Sequence, residues 1–352
     1  MNILYLGNNF GTSKHRADAL RRLGHSVWII DPEQLVPGGK LAAKLHWETG
    51  GLLCEKSVTA SVLSRLGEMN FDLVLVNGGR YVGPTLVEEL RSRFGPVINY
   101  NNDDPFGSRD RFSWALYRRA VPSYDLVVVL RAENATEAAA LGAKKTHRVF
   151  FSADEVVHKP RTLSVEDHAR WDSEVVFVGT WMPERGHFLA HLLRRGVPLS
   201  IYGGRWQRSP EWPVLEKAWK GPATTTDDDY AKAIQCAKIS LGLLSKGNRD
   251  LQTQRSFEVP SLGTMLCAER TPEHLQLYRE GVEAVFWADA AECADVCCRF
   301  LSSTPLRREI AAQGRQRCLD NGTFNEQVMA DILAQAMPGN LQLQQTLSEQ
   351  IL

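Results

Sequence analysis

Arg255 and Glu258 lie three residues apart in the run R-S-F-E-V-P-S-L-G-T-M-L-C-A-E, which is otherwise largely apolar. On a helical turn such a pair faces one side. A carboxylate near a helix start is favoured by the helix dipole, and it could accept hydrogen bonds from the two vicinal hydroxyls of a ribose. The plainer alternative is a capping glutamate. Gly263 then turns the chain into the strand-like T-M-L-C-A-E. Arg255, and Arg185 in G-T-W-M-P-E-R-G, could neutralise phosphate. In Y-G-G-R-W, Gly203 and Gly204 permit close backbone approach. Trp206 offers an indole face to a base. The plain alternatives are a solvated arginine, a turn and a core tryptophan.

A second group lies nearer the N-terminus. L-G-N-N-F-G-T-S-K-H-R-A brackets a loop with Gly7, Asn8 and Gly11. It lacks the G-x-G-x-x-G fingerprint, which disfavours a nicotinamide cofactor. Its backbone could approach a phosphate or an acceptor group. His15 follows on the next helix and is expected at the surface rather than as a base. N-Y-N-N-D-D-P ends a strand with Asp103 and Asp104. A carboxylate there could orient or deprotonate a hydroxyl, or it could form an Asx turn before Pro105.

Three stretches look like sites and have simpler explanations. T-T-T-D-D-D-Y suggests a metal, but threonine caps and an acidic first turn predict a helix start. Cys293 and Cys297 have the i, i+4 spacing of helix packing, with Cys298 beside them. His158, in H-K-P, is expected at a hinge. No metal site is expected.

The elements that must position these residues alternate. I-L-Y-L-G, H-S-V-W-I-I-D, F-D-L-V-L-V-N-G-G, G-P-V-I-N-Y-N and Y-D-L-V-V-V-L are apolar runs separated by helical stretches. S-K-H-R-A-D-A-L-R-R-L-G reads as a helix with a serine cap and a glycine stop. Runs apolar throughout suit strands buried on both faces, as in a parallel sheet. A polar connector over 151–172 follows. The pattern then restarts with S-E-V-V-F-V-G, V-P-L-S-I-Y-G-G, K-I-S-L-G-L-L, T-M-L-C-A-E and E-A-V-F-W-A-D. This predicts two parallel-sheet domains, residues 1–157 and 158–325, with a helical segment 326–352 packing back on the first. Ligands are expected outside the carboxyl ends of the strands.

At 352 residues the chain suits two domains. With 41 basic and 41 acidic residues it has no overall field for nucleic acid. Seven scattered cysteines suit a reducing compartment. No signal peptide or membrane span is evident, so a cytoplasmic protein is expected, with peripheral membrane association left open.

The pattern Arg255, Phe257, Glu258, Gly263 resembles the CgeB-like branch of the GT-B glycosyltransferases. So do V-V-F-V-G-T-W-M-P-E-R-G and R-T-P-E-H-L-Q-L-Y-R-E-G-V-E-A-V-F-W-A-D. The resemblance covers most of 174–325 and, more loosely, the first domain. It implies an α/β fold of two Rossmann-like domains whose parallel sheets face across a cleft. It implies donor contacts from Glu258, Arg255, Arg185, Thr180, Gly204, Trp206 and Gly263, with Thr180 standing where an arginine is frequent. Asp250, eight residues before Glu258, matches an acidic position that touches the donor sugar in related retaining enzymes. It is an aspartate here, with a shorter reach. The resemblance extends to the D-D-P element, so Asp103, Asp104 and Asp250 are the candidate catalytic residues. Gly7, Asn8, Gly11 and His15 are candidates for the acceptor or phosphate loop.

The implied activity is transfer of a sugar from a nucleotide-diphosphate sugar, UDP-sugar favoured, to a hydroxyl of a glycan, protein or small molecule. Retention is expected, without a metal or a further cofactor. Two alternatives are a nucleotide-sugar 2-epimerase and a non-catalytic partner that binds a glycan or a second glycosyltransferase.

Overall fold

The computed structural model describes residues 1–222 and 226–337. Thr224 and Thr225 of T-T-T-D-D-D-Y lie outside the described residues, as does 338–352 of the expected C-terminal segment. The chain divides into two compact units. Of the described residues, the first holds 1–150, 247–249 and 325–337; the second holds 151–246 and 250–324. Residues 151–157 thus group with the second unit, and 247–249 with the first.

The first unit is built on β1 (Asn2–Leu6), β2 (Ser26–Ile30), β3 (Leu73–Asn77), β4 (Val97–Asn101), β5 (Leu126–Val129) and β6 (Thr146–Arg148). The strands pair in the order β2-β1-β3-β4-β5-β6, all parallel. Ile3 to Leu6 and Leu73 to Val76 are fully buried, at about 1.5–3 kcal/mol for each large aliphatic side chain removed from water. Helix Gly11–Arg22 begins without a side-chain cap. The expected serine cap, Ser13, lies inside the helix, where its carbonyl accepts from the Tyr5 hydroxyl at 2.9 Å. Helix Asn325–Ala336 belongs to this unit. It is fixed by an Arg22–Glu326 ion pair and by His147 Nε2 at 2.6 Å from Asp331.

The second unit is built on β7 (Ser173–Val178), β8 (Leu199–Tyr202), β9 (Trp219–Gly221), β10 (Ala237–Gly242), β11 (Met265–Glu269) and β12 (Val285–Trp287). Their order is β12-β11-β10-β7-β8-β9, again all parallel. The start of the expected connector is in fact buried: Phe151, Ser152, Ala153 and Asp154 are at most 7% exposed.

In both sheets the strand order reverses beside the first strand, between β1 and β3 and between β7 and β10. Chains leaving adjacent strands there diverge to opposite faces and leave a crevice at the carboxyl ends.

Candidate functional site

In the second unit two guanidinium groups converge on the reversal point. Arg185 stands in the first turn of helix Pro183–Arg194. Its Nη1 donates to Thr180 O (3.0 Å) and its Nη2 to Leu243 O (3.2 Å), just past the ends of β7 and β10. Its Nε is buried and makes no hydrogen bond. Burial, with the nearby positive charge of Arg255, pulls its pKa down to about 10. Asp250, buried and on the same unit, partly opposes that shift. Arg255 opens helix Arg255–Ser261 and donates through Nε (3.2 Å) and Nη2 (3.1 Å) to Val178 O. Burial opposes its charge, but Tyr230 and Glu258 hold its pKa above the ordinary value. Two like charges are therefore held close together by backbone carbonyls, and of the two Arg255 has the Glu258 carboxylate beside it.

Glu258 lies one turn deeper on the same helix and is only 3% exposed. The Tyr230 hydroxyl donates to its Oε2, and Arg255 Nη1 is 3.8 Å from the same oxygen. His158 Nε2 is 3.4 Å from Oε1. The Asp154 backbone N–H donates to His158 Nδ1 at 2.8 Å. That bond leaves the proton of a neutral ring on Nε2, facing the carboxylate. Glu258 is thus held by protein groups and is not presented at a surface. His158, expected at a hinge, is a buried member of this cluster. Tyr230 comes from helix Asp227–Gln235, which begins at the Thr226 cap as T-D-D-D-Y predicts.

The remaining donor candidates separate. Thr180 is exposed and gives its carbonyl to Arg185. Gly203, at φ +137°, brings β8 against β7 so closely that a Cβ would stand 2.0 Å from Gly179 O. The Gly204 carbonyl accepts from Trp181 N at 3.0 Å. Trp206 is fully buried, edge-on to Phe177, with Nε1 donating to Gly179 O at 3.0 Å. It belongs to the core and offers no open face to a base. Gly263 makes its turn at φ +80°, but it precedes β11 and so lies at the amino end of the sheet, away from Arg255.

The first unit contains a cavity of about 480 Å³ beyond the carboxyl ends of β1 to β4. Gly7, Asn8, Gly11 and Asp103 line it. At Gly7 a Cβ would meet the Tyr5 ring at 2.8 Å, so only glycine lets β1 turn there. The Asn8 amide, oriented by its partners, donates to both Asp31 oxygens (3.1 and 3.0 Å). Asp103 is partly exposed. Its neighbour Asp104 is not available to a substrate. Its carboxylate is fully buried and accepts from Arg249 Nε (2.6 Å), Arg249 Nη2 (2.8 Å), Asn134 (2.8 Å) and the Gly107 N–H (2.9 Å). Burial opposes its charge, but the bonds from Arg249 and Asn134 prevail and its pKa is lowered. His15 is buried rather than at the surface, and it does not line the cavity. The cavity residues that motif reading missed are Arg16, Trp47, Arg80 and Trp114. Arg16, Trp47 and Trp114 lie in helical segments and Arg80 in the turn after β3, and no spacing marks them.

Among the described residues, two clusters could hold a metal ion. The Cys267, Cys293 and Cys297 sulfurs lie within 4.8 Å of one another, all buried, while Cys298 is exposed. They sit in the apolar core of the second unit, where thiols also pack as small hydrophobes. His168, Asp172 and Cys236 form the second cluster. In T-D-D-D-Y, Asp228 is taken up by Arg161 (2.5 Å) and Lys232 (2.9 Å). No helix among the described residues is long and apolar enough to cross a membrane.

Two six-stranded parallel sheets flanked by helices make a GT-B fold, and solved structures agree. HepE from Anabaena, in complex with UDP and glucose, aligns with TM-score 0.67 and 16% identity over 95% of this chain and 100% of that one. The sucrose-phosphate synthase of Thermosynechococcus elongatus aligns with TM-score 0.66 and 13% identity, covering 95% and 98%. A glycosyltransferase from Rickettsia africae aligns with TM-score 0.63 and 12% identity, covering 96% and 98%. Residues 185–334 match the family model described as glycosyl transferase-like. No curated protein matches the sequence.

Proposed function

We propose that the protein is a glycosyltransferase that takes a UDP-sugar in its second unit and an acceptor hydroxyl in its first. The observation that carries this reading is the Arg185–Arg255 pair at the reversal point of the sheet. Its two cations and the unengaged Nε of Arg185 suit a diphosphate. The HepE structures hold UDP, glucose and UDP-glucose, which favours the same donor class here.

In the proposed reaction the negative charge on the leaving diphosphate grows towards the transition state. Fixed guanidinium groups stabilise that charge without reorganising. They supply the charge that a metal would, so transfer is expected to be metal-independent. Retention is part of the proposal because the Glu258 region, with Asp250 eight residues before it, resembles the retaining families. Asp103, the carboxylate of the D-D-P element that lines the cavity, would meet the acceptor. Glu258 would reach the ribose by exchanging its Tyr230 bond for ribose hydroxyls. All seven cysteines are free thiols, which favours a cytoplasmic setting. Membership of the CgeB-like branch is part of the same proposal.

The test is a thermal-shift titration with UDP, followed by transfer assays with UDP-sugars. UDP at a hundred times its dissociation constant should stabilise the fold by about 2.7 kcal/mol. Arg255→Ala should slow transfer more than it weakens UDP binding. No stabilisation by UDP or any other common nucleoside diphosphate would remove the donor site.

A further inference from the structure

Arg80 is sandwiched between two indoles. Its guanidinium carbon lies 3.7 Å from the ring centroid of Trp47 and 3.7 Å from that of Trp114. The stack is pinned at one side: Arg80 Nη1 donates to Ser113 O (3.1 Å) and Ser113 Oγ (2.5 Å). Asp110 stands 3.8 Å from Arg80 Nη2 and accepts from Trp114 Nε1 at 3.3 Å. Arg80 and Trp114 are buried, at 6% and 2% exposure. Trp47 is not. It ends helix Lys40–Glu48, lines the cavity, and remains 45% exposed although one of its faces lies on Arg80.

A cation–π stack that served only to anchor this helix would gain most by burying both rings. Here the outer ring rests on Arg80 and is left half-open. Around it the cavity presents the carboxylates of Asp31, Glu33 and Asp103. Its two arginines are engaged, Arg80 between the indoles and Arg16 on Asn77 Oδ1 at 2.9 Å. With three carboxylates against two guanidinium groups in the lining, an anionic ligand gains no net attraction. A pyranose ring would meet what it needs: an aromatic face for its C–H face, and acceptors for its hydroxyls.

We propose that this cavity binds a neutral pyranose sugar stacked on Trp47, and that this sugar bears the acceptor hydroxyl. The assignment as acceptor rests on the function proposed above; the binding of sugar does not. Trp47 is the specificity-determining platform, and Arg80 is a positioning residue that holds it.

The experiment titrates the full chain, without donor, with glucose, galactose, N-acetylglucosamine, maltose and cellobiose. Saturation-transfer NMR and tryptophan fluorescence read the binding. At least one sugar should bind, with enhancement on the protons of one ring face. Trp47→Ala should weaken it roughly tenfold or more. Trp47→Phe, which keeps a ring, should lose less and guards against a folding defect. Arg80→Gln should fall between the two, with a broadened fluorescence change. UDP-dependent stabilisation should persist in Trp47→Ala. Binding by none of the five sugars, or equal binding by wild type and Trp47→Ala, overturns the proposal. Sugar binding without any response to UDP would leave the cavity assignment standing and remove the donor reading instead.

Discussion

Glu258 shows how a residue's type and its surroundings can pull in different directions. Its type and its distance from Arg255 suit a diol, yet its oxygens are taken up by Tyr230 and His158. An exchange of partners reconciles the two, and it can be tested. Glu258→Gln keeps the shape and loses the charge, so UDP binding should weaken by about 1.5–3 kcal/mol, the scale of hydrogen bonds to a charged group. Binding of a 2′,3′-dideoxy analogue should change far less. Tyr230→Phe removes the competing hydroxyl, so it should leave UDP binding intact or strengthen it. Calorimetry on both nucleotides measures the ratio. A ratio unchanged by Glu258→Gln would assign the carboxylate to holding Arg255 and Tyr230 alone.

The elements bring these side chains together by short, specific contacts. Helix Asp227–Gln235 carries Tyr230, and its start is fixed by the Thr226 hydroxyl accepting from Asp229 N at 3.0 Å. Thr226→Ala should cost about 1 kcal/mol of stability, the usual value of an N-cap. Denaturant melts would show the loss, and Thr226→Ser should recover most of it. Gly203 is stricter. Any side chain there strikes the Gly179 carbonyl, so Gly203→Ala should cost about 3 kcal/mol or more. It should also weaken UDP binding, because the displaced segment leads into Thr180, whose carbonyl holds Arg185.

For the whole molecule, ion-paired carboxylates in both units contribute to the response to acid, and the Asp104 carboxylate in the first is fully buried. Arg249, at φ +56°, pairs with Asp104 and with Glu137 (2.9 Å), which places 247–249 with the first unit. The folded pKa of Asp104 is lowered, so its contribution is full above the unfolded value of about 3.9 and is lost as pH falls through the folded one. Asp104→Asn should therefore lower stability by about 1.5–3 kcal/mol at neutral pH. It should also flatten the decline of stability below about pH 4. Urea melts from pH 7 to pH 3 compare the two proteins. Chelation gives a separate expectation: with arginines neutralising the diphosphate, transfer should proceed at an unchanged rate in excess EDTA. Complete and reversible loss of transfer would direct attention to the thiol cluster and to His168, Asp172 and Cys236.

Continuous apolar runs made most strands legible, because a strand covered on both faces must be apolar throughout. The two that escaped, β6 with T-H-R and β9 with W-K-G, are three-residue strands at sheet edges, where neither length nor burial writes a pattern. The Arg255–Glu258 pair was legible too, since i, i+3 geometry is local. What the sequence could not determine was which faces would be closed. Trp206 went into the core and Trp47 stayed open. His15 and His158 were buried, Gly263 fell at the far end of its strand, and Asp104 was claimed by Arg249. Each of these outcomes depends on a partner remote in the chain. Only the packed tertiary structure decides which partner arrives, because burial and hydrogen-bond competition belong to neighbours in space.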